Sequence, residues 1–487
     1  MSPILVLSII IIYFAALIII SVITSKGATT DTFFTANRQS PWYLVAFGMI
    51  GSSLSGITFV SVPGNVGKVG FSYFQVVLGY IVGYVVIMTI LMPLYYRLNL
   101  VSIYTYLEKR FDNWAYKTGA FFFLLSRTMG SSLRLCLSAT VLQLFLFDAW
   151  NVPFYVTVAI TIFLIWVYTF KGGIKTIVWT DAFQTIFLVS AVVISVYLIS
   201  QRLGFSLSEM LSTVQDSDYS KIFFFDDYKS NLFFPKQFFA GAFIAIAMTG
   251  LDQDLMQKNL TCKNLGEAQK NMFWLTVSIV IVNFLFLTLG ALLYIYSTTK
   301  GIPIPGSTDE LYPRLALNEF GLLAGVFFLL GIIASSYASA DSALASLTTS
   351  FCIDFLDFKN KPETVKKKQK NRVHFGFSMV FLIIILIAKE LNQKSLIDTV
   401  LLVAAYTYGP LLGLFTFGLF TTRSVKGIIV PIVCVIPPLL CFYIGSHSAE
   451  WFSGYKIGSE MLILNGALTF AGLWVVSKKA EADYQKI

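Results

Sequence analysis

Long apolar segments recur along the whole chain, each about the length of a membrane span. The hydrocarbon core of a bilayer takes roughly 20 mostly apolar residues of α-helix, and about thirteen segments meet that requirement. They predict helices at 4–23, 41–62, 70–96, 115–146, 153–170, 178–201, 233–254, 272–297, 319–350, 372–389, 397–421, 426–445 and 459–477. The pattern therefore predicts an all-α polytopic membrane protein with about thirteen transmembrane helices.

Composition supports this fold class and narrows the range of functions. Of the 487 residues, 56% are hydrophobic and only 13% are charged, which excludes an ordinary soluble domain. The five cysteines show no metal-binding spacing and there are only two histidines, so a metalloenzyme is not expected. No phosphate-binding loop and no nucleophile elbow occur in the sequence. We therefore expect a protein that is not an enzyme and has no cofactor.

The basic residues follow the loops as membrane topology predicts. With the first residue outside, roughly 22 Lys and Arg fall on the inner side and about 10 on the outer side, in agreement with the positive-inside rule. Lys258 counts among the inner-loop residues, and the inner segment 359–372 carries seven basic residues. The net charge of +9 therefore follows from topology and does not indicate nucleic-acid binding. The N-terminus is expected outside and the C-terminus in the cytoplasm.

The second predicted helix is interrupted in its middle. Between Gly48 and Thr58 it contains three glycines and four hydroxyl residues, which lower helix propensity. An unwound stretch at this depth would free backbone carbonyls to bind a cation and half-helix ends to bind substrate groups. The alternative is a small-residue surface that allows close helix packing.

The helix at 319–350 carries a stripe of hydroxyl groups with an acid beside it. Hydroxyl oxygens suit Na⁺, a hard cation, although such side chains also bond to the carbonyls of their own helix. A carboxylate in mid-span needs a cation, a basic partner or a proton, which applies to Asp341 and to Asp181 on another helix. The stripe consists of Ser335, Ser339, Ser342, Ser346 and Thr349.

The helix at 115–146 holds two arginines on one face, Arg127 and Arg134, seven residues apart. Such permanent charges at membrane depth pair with an acid, snorkel to the interface or meet a substrate. Arg134 lies deeper in the span. It is therefore the better candidate to bind an anionic substrate or Asp341, and a structural ion pair is the alternative.

Several of these segments resemble motifs of the sodium:solute symporter family. Tyr168–Gln184 is similar to the family signature Y-T-x-x-G-G-x-x-x-x-x-x-T-D-x-x-Q. Asp31–Arg38 resembles its D-x-F-x-A-G-R loop, although Asn37 replaces the usual glycine. The segments 252–257 and 409–415 resemble two further family motifs. The resemblance covers nearly the whole chain.

The resemblance implies the leucine-transporter type of fold, which has two inverted five-helix repeats. It places them at 41–201 and 233–421, joined by an outer loop at 202–232 that could hold a short surface helix or a lid. An extra N-terminal helix with an inner loop at 1–40, and two C-terminal helices with an inner tail at 422–487, complete the expected division.

The resemblance also implies a sodium site between the interrupted helix and the serine-bearing helix. Its main ligands would come from Gly51, Leu54, Ser335 and Ser339. The family usually has a second hydroxyl beside Ser339, and this chain has alanine there, so Asp341 could supply an oxygen instead. A further cation site, present in only some members, would use Asp181, Ser339, Asp341 and Ser342.

Solute contacts are expected on the interrupted helix and on the helices around it. Arg134 favours a carboxylate such as sialic acid or another sugar acid, and a neutral sugar stays open. The expected contact residues are Ser55, Thr58, Gln75, Tyr80, Arg134, Tyr406 and Tyr408.

The function implied is sodium-coupled symport of a small organic solute by alternating access in the inner membrane of a bacterium. Its partners would be the solute, Na⁺ as coupling ion and the lipid bilayer. Proton coupling through Asp341 and Asp181 is the principal alternative. An uncoupled channel, and an enzyme or sensor on a transporter scaffold, are the others. The solute, the number of Na⁺ ions per cycle and the oligomeric state stay open.

Overall fold

The computed structural model describes residues 3–170, 172–356, 358, 361–391 and 396–479. Apart from connecting segments and one pair of two-residue strands, these residues are helical. The helices of the first part are α1 (Pro3–Thr24), α2 (Thr30–Thr35), α3 (Trp42–Ser53), α4 (Gly56–Val69), α5 (Tyr73–Val86), α6 (Met92–Arg97), α7 (Thr105–Arg110), α8 (Asn113–Leu142), α9 (Phe154–Thr169), α10 (Ile174–Leu203) and α11 (Leu207–Gln215).

The second part continues with helices of similar length, and the strands β1 (Arg423–Ser424) and β2 (Lys478–Lys479) pair antiparallel. A π-helical turn at Ile87–Leu91 joins α5 to α6 in one continuous span. The helices are α12 (Phe234–Ala245), α13 (Gln253–Asn259), α14 (Leu265–Lys300), α15 (Leu311–Asn318), α16 (Leu322–Ser350), α17 (Glu363–Leu391), α18 (Leu396–Thr407), α19 (Gly409–Phe420), α20 (Ile429–Trp451) and α21 (Met461–Val476).

Many of these helices are long and apolar enough to cross a membrane. The described residues contain eight of them, or up to ten when each of two sharply bent pairs counts as one span. Two more apolar helices, α9 and α21, are shorter. The polytopic helical architecture is therefore confirmed, whereas the total of thirteen spans stays a prediction.

The predicted interruption of the second helix is confirmed. Helices α3 and α4 meet at 60°, and Leu54 (φ −94°, ψ 87°) and Ser55 (φ −67°, ψ 165°) leave the helical conformation. The Ser55 hydroxyl caps α4 by accepting the backbone N–H of Thr58. The small residues also allow close packing, because Gly51 N–H donates to Thr185 Oγ1 at 3.1 Å. The break and the packing surface therefore coexist in one segment.

The helix predicted at 233–254 is present from Phe234 to Gly250, but the sequence did not predict the sharp bend that follows it. After α12 the chain forms a π-helical turn, Ile246–Gly250, and the helix then meets α13 at 69°. Asp252 explains the new start. Its Oδ1 accepts the backbone N–H of Asp254 at 2.8 Å, which supplies the cap that α13 requires. The structure thus contains two broken helices where the sequence predicted one.

Two motifs that are distant in the sequence pack against each other. Phe33, on α2 in the 31–38 motif, contacts Gly173 of the signature stretch, where φ is +52° and a Cβ atom would overlap the ring. Asn37 also has a positive φ of 56°. Asparagine tolerates this left-handed conformation better than most residues, which explains how it replaces glycine there.

The connection between α10 and α12 contains a short helix, α11, one of the two alternatives that the sequence left open for 202–232. Ser206 and Glu209 form a capping box at its start. Gln75 fastens the far end of this connection. Its Nε2 donates to the Leu232 carbonyl at 2.9 Å, and its Oε1 accepts the Phe224 N–H at 3.2 Å.

Candidate functional site

The first break, between α3 and α4, lies against α10 and α16. Gly51 packs on Thr185 of α10, and a Cβ atom on Gly51 would lie 2.6 Å from Thr185 Oγ1. Gly56 packs on α16, where a Cβ atom would lie 3.3 Å from Ser335 Oγ and would overlap Ser336. The absence of side chains at these glycines therefore brings the broken helix into contact with the serine-bearing helix.

Backbone carbonyls are open at the first break. Among the residues that the structure describes, no hydrogen bond ends on the carbonyl oxygens of Gly51, Ser52, Ser53 or Leu54. These oxygens lie at the C-terminal end of α3, where the helix dipole is negative. An unpaired carbonyl at membrane depth is costly. The end of α3 is therefore suited to a cation.

The hydroxyl stripe of α16 divides into engaged and free groups. Ser335, Ser346 and Thr349 donate to carbonyls of their own helix at 3.2, 3.0 and 2.8 Å. Ser342 donates to the Asp254 carboxylate. The fully buried Ser339 Oγ has no partner within the described ranges. Of this stripe, Ser339 is therefore the hydroxyl that remains available to an ion.

Asp181 is paired with a lysine inside the protein. Lys258, on α13, is 1% exposed, and its Nζ lies 2.5 Å from Asp181 Oδ2. The expectation that Lys258 is an inner-loop residue is therefore wrong. A lysine is buried only when a carboxylate compensates its charge, and Asp181 supplies that compensation. The second oxygen of Asp181, Oδ1, has no partner among the described residues.

Asp341 is fully buried on α16 and is held by a tyrosine. The Tyr168 hydroxyl donates to Asp341 Oδ2 at 2.7 Å, and Oδ1 has no partner in the described part of the chain. Tyr168 is the first residue of the signature stretch, which thus contributes a direct contact to this region. Asp181 and Asp341 each keep one oxygen that has no partner among the described residues, and a cation could bind these oxygens. The further cation site stays a prediction.

A second ion-pair network surrounds the start of α13. Arg127 Nη2 pairs with the Asp254 carboxylate, and Arg127 Nη1 lies 3.9 Å from Asp252 Oδ2. The Tyr408 hydroxyl donates to Asp252, and Ser342 donates to Asp254. These buried contacts connect α8, α13, α16 and the residue preceding α19.

Tyrosine hydroxyls bond two of the carbonyls released at the second break. The Tyr95 hydroxyl donates to the Gly250 carbonyl and the Tyr104 hydroxyl to the Leu251 carbonyl, each at 2.9 Å. Both tyrosines are fully buried. The carbonyls of Gly250 and Leu251 are therefore satisfied by the protein itself, whereas those of Ala247, Met248 and Thr249 accept no hydrogen bond from a described residue.

A cavity of about 100 Å³ lies beside the first break. It brings together four of the predicted solute contacts, Ser55, Thr58, Tyr80 and Arg134. Arg134 has no hydrogen bond or ion pair with a described residue, so its charge is available to a ligand. Other polar groups on the wall are Ser52, Ser53, Tyr73, Tyr84, Arg127 and Thr249.

The other three predicted solute contacts do not line this cavity. Gln75 is fully buried against the α10–α12 connection. Tyr406 packs on Phe442. The Tyr408 hydroxyl is engaged by Asp252.

Sequence reasoning missed the partners of the charged residues. Lys258 and Asp254 have the largest roles, since each closes a buried ion pair. A signal was present in the sequence, because Asp252, Asp254 and Lys258 fall within one short segment that follows an apolar run. Charges so close to a span indicate a cavity or buried partners as readily as a loop.

The sequence pattern of the sodium:solute symporter family matches residues 33–427. The chain belongs to that family. The sodium/sialic acid symporter NanT of Aliivibrio fischeri is 24% identical to it, over 91% of this chain and 88% of the relative. The sodium/sialic acid symporter SiaT of Proteus mirabilis is also 24% identical, over 97% of this chain and 95% of the relative. This family membership makes the chain an integral membrane transporter.

Two solved structures share the fold. One is a substrate-bound outward-open state of a Na⁺-coupled sialic acid symporter, with a TM-score of 0.83, 19% identity, and coverage of 98% of this chain and 99% of that one. The other is Mhp1, a nucleobase-cation-symport-1 family transporter in a closed conformation, with a TM-score of 0.54, 14% identity, and coverage of 91% and 94%. These likenesses confirm the predicted fold class.

Proposed function

We propose that this family member couples the inward movement of one small carboxylated solute to that of Na⁺ by alternating access. Sodium would bind at the first break and connect α3 to α16. The solute would bind in the adjacent cavity, which shares Leu54 and Ser55 with the break. Occupation of both sites would favour the closed state from which the other side of the membrane becomes accessible.

The observation that carries the sodium site is the set of open oxygens at the first break. Carbonyls of Gly51 and Leu54 accept no hydrogen bond from a described residue, and Ser339 Oγ is buried without a partner there. Oxygen ligands of this kind suit a hard cation. Ser335 would contribute its carbonyl, since its hydroxyl already donates to Ile332. Position 338 is alanine and contributes no hydroxyl.

The carboxylate of the solute is inferred from the charge of the cavity wall. Arg134 is without a protein partner in the described residues, whereas Arg127 on the same wall is paired with Asp254. The N-terminus of α4, marked by Ser55 and Thr58, faces the same cavity and carries a positive dipole. Sialic acid fits this chemistry, and the names of the two relatives support it.

The orientation and the division of the chain are part of the proposal. The excess of basic residues in alternate loops supports an N-terminus outside and a C-terminus in the cytoplasm, which suits the inner membrane of a bacterium. The two broken helices, α3–α4 and α12–α13, occupy corresponding positions in the repeats expected at 41–201 and 233–421. This correspondence supports an inverted-repeat organisation.

The test is uptake of radiolabelled solutes by proteoliposomes that contain the purified protein. Sialic acid, glucose, pyruvate and proline would be compared with an inward Na⁺ gradient, with an equal K⁺ gradient, and with an imposed pH gradient. We expect uptake of a carboxylated sugar only with the Na⁺ gradient. Equal uptake with Na⁺ and K⁺ would contradict sodium coupling, and uptake driven by the pH gradient alone would favour a proton coupled through Asp341 or Asp181.

A further inference from the structure

The cavity beside the first break contains a second arginine besides Arg134. Arg127 lines the same cavity. The two residues are seven positions apart on α8, which places them on one face of the helix about 10 Å apart along its axis. Arg134 has no partner among the described residues, and Arg127 is held by Asp254.

A smaller cavity continues from the first one along α8. It has a volume of about 10 Å³, roughly the space of one water molecule, and shares Arg127, Arg134 and Met248 with the larger cavity. Its wall also contains Gly130, which lies on α8 between the two arginines, and Tyr408. A Cβ atom on Gly130 would have no atom within 4 Å. The glycine therefore leaves open space between the two guanidinium groups.

Arg127 retains hydrogen-bonding capacity despite its ion pair. Its side chain is 3% exposed, and its Nε has no partner in the described part of the chain. Only Nη2 is bonded to a carboxylate, while Nη1 stands 3.9 Å from Asp252. A guanidinium offers five N–H donors in a planar fork, so its unused N–H groups can make the first contact with an incoming carboxylate before Asp254 leaves.

We propose that Arg127 forms a second carboxylate subsite, to which the solute moves from Arg134 past Gly130 before it is released. This inference rests on the proposed function, because it requires a carboxylated solute. Arg127 already faces Asp252 and Asp254, and a third negative group would be repelled. The solute carboxylate therefore takes the place of Asp254 on the guanidinium.

The exchange would couple the position of the solute to a movement of α13. Asp254 belongs to α13 and also accepts a hydrogen bond from Ser342 of α16. When the solute displaces it from Arg127, one of the ion pairs that connect α13 to α8 is lost. Loss of this ion pair would favour opening of the protein on the side where α8 begins. In the proposed orientation that is the cytoplasmic side.

The first test is the variant Gly130→Leu, whose side chain would fill the space between Arg127 and Arg134. The open space around Gly130 should accommodate the leucine side chain without loss of stability. The thermal unfolding midpoint of the variant would verify this. The matched control is Gly376→Leu on α17, where a Cβ atom also has no atom within 4 Å. Radiolabelled sialic acid is the probe for equilibrium binding and for sodium-driven uptake by the full-length protein.

We expect Gly130→Leu to bind sialic acid with a Kd within about threefold of wild type and to take it up at least about tenfold more slowly. The control should match wild type in both measurements. Normal uptake by Gly130→Leu, or parallel loss of binding and uptake, would contradict the second subsite. Absence of sodium-driven uptake by wild type and control would instead contradict the proposed function.

A second variant, Asp254→Asn, tests the exchange itself. Removing the competing charge leaves Arg127 more available, so the Kd for sialic acid should fall by about threefold or more while uptake slows. An unchanged Kd together with unchanged uptake would show that Asp254 does not compete with the solute.

Discussion

The two broken helices differ in the way that the protein treats their exposed backbone. At the α3–α4 break, the carbonyls of Gly51 and Leu54 accept no hydrogen bond from a described residue. At the α12–α13 break, Tyr95 and Tyr104 donate to the carbonyls of Gly250 and Leu251. Two buried ion pairs, Arg127–Asp254 and Lys258–Asp181, then anchor α13.

This difference indicates that the first break binds a ligand and that the second break has a structural role. Unsatisfied carbonyls at the end of α3 need a ligand that comes and goes, and a small cation meets that need. The charges at the second break are compensated within the protein, so a resident ion is not required there. Loss of a charge or hydrogen bond at the second break should therefore reduce stability and leave sodium dependence unchanged, whereas loss of an oxygen ligand at the first break should change sodium dependence.

The largest loss of stability is expected for Lys258→Met. The change leaves the Asp181 carboxylate buried without its cation, which costs about 3–5 kcal/mol in comparable proteins. The measurement is the thermal unfolding midpoint in detergent. Adding Asp181→Asn should recover most of the loss, because the double variant buries no uncompensated charge. A midpoint equal to wild type in the single variant would show that the pair does not hold α13.

A smaller loss is expected for Gly51→Ala at the first break. The new Cβ atom would lie 2.6 Å from Thr185 Oγ1, and such overpacking costs about 1–3 kcal/mol. Thr185→Ala in the same chain should relieve the overlap, while Thr185→Ser should not, since it keeps the oxygen. Gly376→Ala, which has open space around it, serves as the control. Equal midpoints for Gly51→Ala and this control would contradict the close packing of α3 on α10.

A still smaller loss is expected for Tyr104→Phe. The change removes one hydrogen bond to the Leu251 carbonyl, worth about 0.5–1.5 kcal/mol. Sodium dependence should stay the same, because this tyrosine acts at the second break. Tyr43→Phe, on a side chain that is 62% exposed, is the control for stability. A large change in the sodium concentration for half-maximal uptake would mean that the two breaks are not separate in function.

Whether the sequence predicts a helix break depends on what causes that break. The first break is visible because Gly51, Gly56 and the hydroxyls between them weaken the helix locally. The second follows an apolar run and is created by the cap at Asp252 and by tyrosines from distant segments. Local pattern cannot show such partners.

The same limit applies to the site residues. Arg134, Asp341 and Ser339 attract attention because polar groups at membrane depth are expensive. Which acid meets which base depends on tertiary packing: Lys258 and Asp181 are 77 positions apart, and Arg127 and Asp254 are 127 apart. The motif resemblance identifies the segments that meet, as Phe33 and Gly173 do. It does not identify the ion pairs.

The central claim is tested most directly by the sodium dependence of uptake in Ser339→Ala. Because Ser339 Oγ has no partner among the described residues, the change should alter stability by less than about 0.5 kcal/mol. We predict that the Na⁺ concentration for half-maximal sialic acid uptake rises at least about tenfold, equivalent to roughly 1.4 kcal/mol of lost binding. An unchanged concentration, in a variant that folds like wild type, would contradict the placement of sodium at the first break.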